Sequence, residues 1–370
     1  MAGVSLAGMD AQTTTDASAH AIIPAYLLAR LAATTEPRLA AASEAARATL
    51  AAPRTYRPSR ANLDLSVEGD ALVVEASPAP ERVISDARNR EELPGVRVRG
   101  EDDPPTRDQA VDEAFDGLGS TFTLFADAFE RVSIDGAGGA LLATVHYGDR
   151  YDNAFWNGER MVFGDGDGEV FTGFTRSLTV IAHELAHGVI ESAGGLVYSG
   201  QSGALNESIA DVFGVLTEQH ALGQTADEAS WLIGEGIFTD AVEGHALRSM
   251  SAPGTAYDDD VLGRDPQPGH LRDYVNTTAD NGGVHINSGI PNRAFHLAAT
   301  TLGGYAWERA GRVWYLTLTG GTLTPTSDFA AFARATLETA RHEYGEESEE
   351  HAAVRSAWEG VGVIDDAASR

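Results

Sequence analysis

Apolar and polar positions change period several times along this chain. Residues 20 to 50, "AIIPAYLLARLAATTEPRLAAASEAARATL", are alanine-rich with apolar positions at helical spacing, which predicts helix. A Pro-rich, charged stretch follows, "AAPRTYRPSRANL". Residues 63 to 76 alternate apolar and polar around a Gly-Asp turn and predict a hairpin. The next thirty or so residues are polar and extended, in the manner of surface strand and loop. From Val111 the helical period returns in "VDEAFDGLGSTFTLFADAF". Residues 140 to 148 predict a strand, and "NAFWNGERMVFGDGDGEVF" predicts a hairpin with Gly-rich turns. After Arg176 the pattern becomes helical, with helices expected at 178 to 193, 203 to 222, 287 to 302, 304 to 319, 327 to 344 and 347 to 360. The break from 223 to 284 is rich in Gly, Asp and Pro. The expected class is α+β: a strand-rich N-terminal lobe, a helical C-terminal lobe and the helix at 178 between them. No internal repeat is present.

Composition narrows the chemistry. The chain has 370 residues and 43% hydrophobic content, enough for about two to three packed units. Its net charge is -29, from 55 acidic and 26 basic residues, and every basic residue among Lys and Arg is arginine. Phosphate backbones need basic clusters, so nucleic acid is not an expected partner. A solvated acidic surface accounts for the imbalance, with a salty habitat or a GC-rich genome as alternatives. There are no cysteines, which removes disulfides, thiolate metal sites and cysteine nucleophiles. Any metal must use histidine and carboxylate ligands. The first twenty residues lack the basic and apolar regions of a standard secretory signal, and no run reaches the roughly 18 apolar residues of a membrane span. "DGDG" begins like a calcium loop but lacks the later ligands and terminal glutamate.

Candidate chemistry centres on "TVIAHELAHGVIES", residues 179 to 192. On a helix, His183 and His187 share one face, spaced to chelate one ion, and Glu184 lies beside them. Alone, this pattern fits a zinc helix or an ordinary amphipathic helix with two histidines. A catalytic zinc needs a third protein ligand and an open position. "GALNESIADVFGVL" reads as a second amphipathic helix with Glu207 and Asp211 beside its apolar stripe. Carboxylates there are costly unless ligated or paired. Glu207 as ligand, with Asp211 bonding the free nitrogen of a ligand histidine, resolves that cost. Two solvated carboxylates on an outer face are the alternative.

With these residues in place the chain resembles the thermolysin family of zinc metallopeptidases. HExxH followed after 19 residues by the glutamate of "NESIAD" is that family's spacing, and related zinc aminopeptidases have one residue fewer. "NAFWNGERMVFGDGDG", "GLVYSGQSGALNE", "ALRSMS" and "DNGGVHINSGIPNRAFH" resemble family segments in the family order. The resemblance runs from about Leu93 to Val363. It implies a two-lobed thermolysin-like fold with His183, His187 and Glu207 as ligands of one catalytic zinc. Glu184 would be the general base, His285 the oxyanion stabiliser assisted by Tyr198, and Asp280 the carboxylate orienting His285. Asn206 and Asp211 would stand behind the ligands. Asn153, Ala154 and Arg248 would hold the substrate backbone. Phe171, Phe174, Val180, Ile233, Ile237 and Leu247 would line an apolar pocket for the residue after the cut bond, although without the resemblance all six read as core. The implied activity is hydrolysis of protein or peptide substrates on the amino side of bulky apolar residues.

The chain also departs from the family. The paired calcium site common there keeps Glu218 and Glu235, but Thr179, Ser230 and Leu232 stand at other expected carboxylates. One zinc and no full double calcium site are therefore expected. "AIIPAYLLARLA" resembles the short propeptide of protealysin-like peptidases, with Ala25 in place of a second proline. Ile22, Ile23, Pro24, Tyr26 and Leu27 form that motif, and the apolar ones among them could fill the substrate pocket. The expected division is a propeptide at 1 to 80, its boundary anywhere from 50 to 85, then lobes at 81 to 192 and 193 to 370. The expected product is a monomer that cuts off its own propeptide. The family resemblance implies secretion, with cytoplasmic residence or non-standard export as alternatives. Two rival functions remain: an inactive binding protein on the same fold, opposed by the intact motif, and an exopeptidase, opposed by its spacing.

Overall fold

The computed structural model describes residues 20–52, 65–68, 71–74 and 79–365. Two helices come first, α1 (Ala25–Ala33) and α2 (Ala40–Ala51). A small antiparallel hairpin follows, β1 (Leu65–Glu68) with β2 (Ala71–Val74). The N-terminal lobe is a five-stranded mixed sheet built from β3 (Arg82–Arg90), β4 (Val96–Gly100), β5 (Leu141–Tyr147), β6 (Ala154–Trp156) and β7 (Met161–Phe163). The spatial order is β4-β3-β5-β7-β6. β3 and β5 are parallel, as are β5 and β7, while β4 and β6 run antiparallel to their neighbours. Helix α3 (Gln109–Phe129) packs against this sheet. Its N-cap Asp108 accepts from the Ala110 and Val111 amides, and its apolar stripe buries Val111, Phe115, Leu118, Phe122, Phe125 and Phe129.

Two helices then cross at the centre of the molecule, α4 (Leu178–Ser192) and α5 (Gly200–Leu222). Both are buried along most of their length, so neither has a polar face of ordinary width. Their close approach depends on Gly214, where a Cβ would sit 2.8 Å from the Thr179 carbonyl oxygen and 3.7 Å from the His183 Cβ. Short pairings follow, β8 (Leu232–Ile233) with β9 (Arg248–Ser249) and β10 (Asp258–Asp259) with β11 (Gly263–Arg264). The chain closes with α6 (Asp280–Asn287), α7 (Gly289–Leu302), α8 (Ala310–Thr319), α9 (Phe329–Tyr344) and α10 (Glu349–Gly360). One hydrophobic core runs from Ile22 through the sheet and α4–α5 to Val361. Among the described residues no helix is long and apolar enough to cross a membrane.

The lobes and the helix order agree with the sequence pattern. Three details differ. The extended stretch expected on the surface supplies β3, which lies inside the sheet between β4 and β5. Only Ile84, Ser85 and Ala87 of that strand are buried, so its apolar signal is weak. The helix expected from 304 begins at Ala310, because Gly303 and Gly304 adopt φ +64° and +66° and break the period. The segment before 287, expected as loop, is a turn with φ of 55°, 50°, 88° and 79° at Asp280, Asn281, Gly282 and Gly283.

Candidate active site

Helix α4 puts His183 and His187 on one face, both almost wholly buried. Their Nε2 atoms are 3.1 Å apart. Helix α5 brings Glu207 to 3.5 Å from each of them, through Oε2 to His183 and Oε1 to His187. Donors on a tetrahedral zinc with bonds of about 2.0–2.1 Å lie roughly 3.3 Å apart, so the triangle matches that ion. Two imidazole nitrogens aimed at each other beside a buried carboxylate otherwise have no common partner. Glu207 Oε2 indeed has no hydrogen-bond partner. Among the described residues these three form the one group of three or more donors close enough to share a metal.

A second layer fixes the ligands. His187 Nδ1 lies 2.9 Å from Asn206 Oδ1, whose amide donates to the Leu196 carbonyl. This directs the His187 lone pair at Nε2 inward. Burial, and then the neighbouring His20 and His183, hold the His187 pKa well below the ordinary range, favouring the neutral ring that binds metal. His183 Nδ1 lies 2.8 Å from Asp211 Oδ1, at ion-pair distance but off the ideal hydrogen-bond line. Asp211 also accepts two bonds from Arg248, at 2.9 and 2.7 Å, and one from Asn292 at 2.8 Å. Burial works against its charge, yet Arg248 and then His183 bring its carboxyl below the usual range.

Glu184 accepts from the Trp156 amide of β6 at 2.9 Å, and its other oxygen is buried without a partner. Burial first, then Glu207, push the Glu184 carboxyl well above the ordinary range. A dication between the three ligands would oppose the second effect. Across the cleft, the left-handed turn at Asp280–Gly283 lets the Asp280 carboxylate grip His285 twice. It accepts from the His285 amide at 2.9 Å and meets Nδ1 at 2.6 Å. Burial opposes protonation of His285, but Glu207 and Asp280 outweigh it and raise its pKa to about 9. Its Nε2 points into the cleft, 3.2 Å from the Tyr198 hydroxyl, which donates to Glu207.

The cleft is filled by the N-terminal segment of the same chain. Ala21 forms an antiparallel bridge with Phe155 of the edge strand β6. The Ile22 amide donates to the Ala154 carbonyl at 3.1 Å, and Arg248 donates to the Ile22 carbonyl at 3.3 Å. Asn153 holds Ile23 at both ends, accepting from its amide at 2.9 Å and donating to its carbonyl at 3.0 Å. His285 Nε2 is 3.1 Å from the Ala21 carbonyl oxygen. Ile22 is fully buried in the same core as Phe171, Phe174, Val180, Ile233, Ile237 and Leu247. Pro24 precedes α1, and Tyr26 and Leu27 pack inward from it; Tyr26 pairs with Tyr257. Farther along, Arg30 donates to the Leu262 carbonyl, Ala42 to Glu169, and the Asp152 amide to Thr49.

The structure brings His183, His187, Glu207, Glu184, Asn206, Asp211, Tyr198, Asp280, His285, Asn153, Ala154 and Arg248 together around one cleft, and Phe171, Phe174, Val180, Ile233, Ile237 and Leu247 lie in the core that Ile22 enters. The pattern did not single out His20 and Ala21. His20 has its ring 4.6 Å from those of both His187 and Tyr198, and its Nδ1 is buried without a partner. Burial lowers the His20 pKa to about 4, against the pull of Glu207. Arg248 does more than expected, because it joins the N-terminal segment to the Asp211 support of the ligands. Asn292 is a further part of that support. The signal for His20 and Ala21 was their adjacency to the Ile22–Leu27 motif.

A buried His-His-Glu triangle, a carboxylate beside it and a histidine across a cleft between a mixed sheet and a helical lobe define a metallopeptidase site. The catalytic-domain description of thermolysin metallopeptidases matches residues 78–191, and that of their α-helical domain matches residues 194–363. The chain belongs to the thermolysin family of metallopeptidases, enzymes that use zinc. It is 52% identical over 304 residues to an extracellular metalloprotease of Pectobacterium carotovorum subsp. carotovorum, covering 79% of this chain and 87% of that one. It is 39% identical over 287 residues to a thermolysin of Alicyclobacillus acidocaldarius subsp. acidocaldarius, covering 75% of this chain and 50% of that protein. Among solved structures, the precursor of protealysin, a metalloproteinase from Serratia proteamaculans, superposes with a TM-score of 0.83 at 49% identity. The match covers 93% of this chain and 99% of that one.

Proposed function

We propose that this chain is the precursor of a secreted, monomeric zinc endopeptidase that cuts on the amino side of bulky apolar residues and is held latent by its own N-terminal segment. The observation that carries this reading is the capture of Ile22 and Ile23. Their backbones are bonded to Asn153, Ala154 and Arg248, and the Ile22 side chain is fully buried in the core that also holds Phe171, Phe174, Val180, Ile233, Ile237 and Leu247. A pocket lined by six apolar residues favours leucine or phenylalanine after the cut bond. A short precursor with this architecture among the relatives, and their extracellular character, support the latent and secreted parts of the reading. The division into a propeptide at 1 to 80 and lobes at 81 to 192 and 193 to 370 belongs to the same proposal.

His183, His187 and Glu207 would hold the zinc, which when bound polarises the substrate carbonyl and acidifies water. Glu184 takes the proton of the attacking water and gives it to the leaving nitrogen; its unpartnered oxygen is available for this. His285, held by Asp280, donates to the carbonyl oxygen as negative charge develops there, with Tyr198 beside it. Asp211 and Asn206 fix the ligand rings.

Casein and an end-blocked peptide, each with and without a zinc chelator, test the reading. Processed protein should cleave both, lose activity with chelator, and cut before leucine or phenylalanine. Glu184→Gln should keep the fold and lose at least about 100-fold in kcat. Cleavage of unblocked peptides only would establish an exopeptidase. No cleavage by any processed form would leave an inactive binding protein.

A further inference from the structure

The N-terminal segment is bound with the polarity and register of a substrate. Each polar group around the Ala21–Ile22 peptide is one that the proposed mechanism uses. The Ala21 carbonyl oxygen faces His285 Nε2 at 3.1 Å, the oxyanion donor. The Ile22 nitrogen, on the other side of that bond, donates to the Ala154 carbonyl of β6, the strand whose Trp156 amide holds Glu184. The Ile22 carbonyl is held by Arg248, and the Ile22 side chain is fully buried in the core that contains the six apolar pocket residues. A segment displaced by one residue would put a different carbonyl at His285 and a different residue at Arg248.

We propose that Ala21–Ile22 is the first bond this precursor cuts, and that it is cut within the same molecule. The inference rests on the endopeptidase reading above. In the step, a water oxygen adds to the Ala21 carbonyl carbon and the carbon–nitrogen bond to Ile22 breaks. Glu184 transfers one proton of the water to the Ile22 nitrogen, and the second passes from the new Ala21 carboxyl to the same nitrogen. The products are a carboxylate at Ala21 and a new ammonium at Ile22. No oxidant or further reactant is needed. The cut does not by itself clear the cleft. Arg248 and Asn153 still hold Ile22 and Ile23, and α1 and α2 remain attached by the chain beyond Ala51. Activation therefore has two steps, a cut at Ala21–Ile22 and a later cut beyond Ala51 that releases the helical segment.

Full-length protein is purified with chelator, then given zinc and sampled by intact mass and N-terminal sequencing. The expected first product has Ile22 as its N-terminus, and its first-order rate constant holds over about a tenfold dilution. It digests casein poorly until the second cut. Glu184→Gln shows no cut. Ile22→Gly slows the first step at least tenfold, while the final processed enzyme digests casein normally because residue 22 has been removed. If Ile22→Gly does not fold, a blocked peptide spanning residues 17 to 27 is offered to the processed enzyme, and cleavage at Ala21–Ile22 is expected. A first N-terminus elsewhere, a rate proportional to protein concentration, or a peptide cut at another bond overturns the proposal. Casein digestion would persist in each of those cases if the endopeptidase reading stands; its absence from every form marks failure of that reading instead.

Discussion

Asp211 carries more connections than any ligand it supports. It faces His183 Nδ1, takes a bidentate grip from Arg248 and accepts from Asn292, with no exposure to solvent. One carboxylate thereby joins the candidate metal ligands to the residue that holds the Ile22 carbonyl. Asp211→Asn should weaken zinc binding about 10- to 100-fold, because the ring orientation and basicity of His183 depend on that partner. It should also lower stability by about 3–5 kcal/mol by leaving the buried Arg248 unpaired. Competition against a chromophoric chelator measures the first and denaturant melts the second; unchanged zinc affinity would show that Asp211 serves Arg248 alone. At His285 the expected loss is kinetic. His285→Phe should lower kcat about 100- to 1,000-fold with little change in KM, since its donor is needed where charge develops. A fall confined to KM would make it a binding residue.

What the sequence shows at this scale follows from where spacing has meaning. His183 and His187 are readable because four residues make one helical turn, and Glu207 because one short connection separates two helices. His20 and Ala21 are not readable that way. Their neighbours lie 264 residues away in the case of Ala21 and His285, and only the fold of the segment into the cleft brings them together.

At the scale of elements, helix α3 is tied to the sheet through its cap. His146, on β5, lies 3.1 Å from the N-cap Asp108 and 2.9 Å from Asp165. The hydrogen bond to Asp165 is the main cause that raises its pKa to about 9, against partial burial, with Asp108 adding to it. A histidine whose folded value exceeds its unfolded one, about 6.5, stabilises fully below that unfolded value. That contribution is lost as pH rises through about 9. His146 has φ 53°, so His146→Asn is the substitution that keeps the backbone in a tolerated region. It should cost about 1–2 kcal/mol at pH 6 after allowance for solvent screening, and about nothing near pH 10. Thermal melts of both proteins across that range decide it; a constant difference would assign the cost to packing. The link itself was invisible in the pattern, where 140 to 148 read simply as a strand. β3 shows the same limit, because a strand held by parallel and antiparallel neighbours needs few buried side chains of its own.

At the scale of the whole molecule, the question is how a chain of net charge -29 balances carboxylates brought close together. Below the crossing of α4 and α5, Glu218 has its pKa raised to about 7, by burial first and by Glu235 second. In relatives with a paired calcium site, further carboxylates would turn such a place into a cation cage. Here Thr179 stands at one of those positions, and its hydroxyl is already engaged, bonded to Ser177 and accepting from the Gly234 amide at 2.9 Å. The Ser230 hydroxyl oxygen accepts from the Leu232 amide, and Leu232 has no oxygen in its side chain. Two carboxylates, one of them partly protonated near neutral pH, provide too little charge and too few oxygens for a site that wants six to eight ligands. Arginine pairs such as Arg248–Asp211 and Arg309–Glu350 fasten the fold without a cation. Removing calcium with a selective chelator that spares zinc should therefore leave the melting temperature within about 2 °C, a shift worth about 1.5 kcal/mol or less. Calorimetry with and without millimolar calcium reads this directly. A fall of ten degrees or more on chelation would require a calcium cage built from other oxygens.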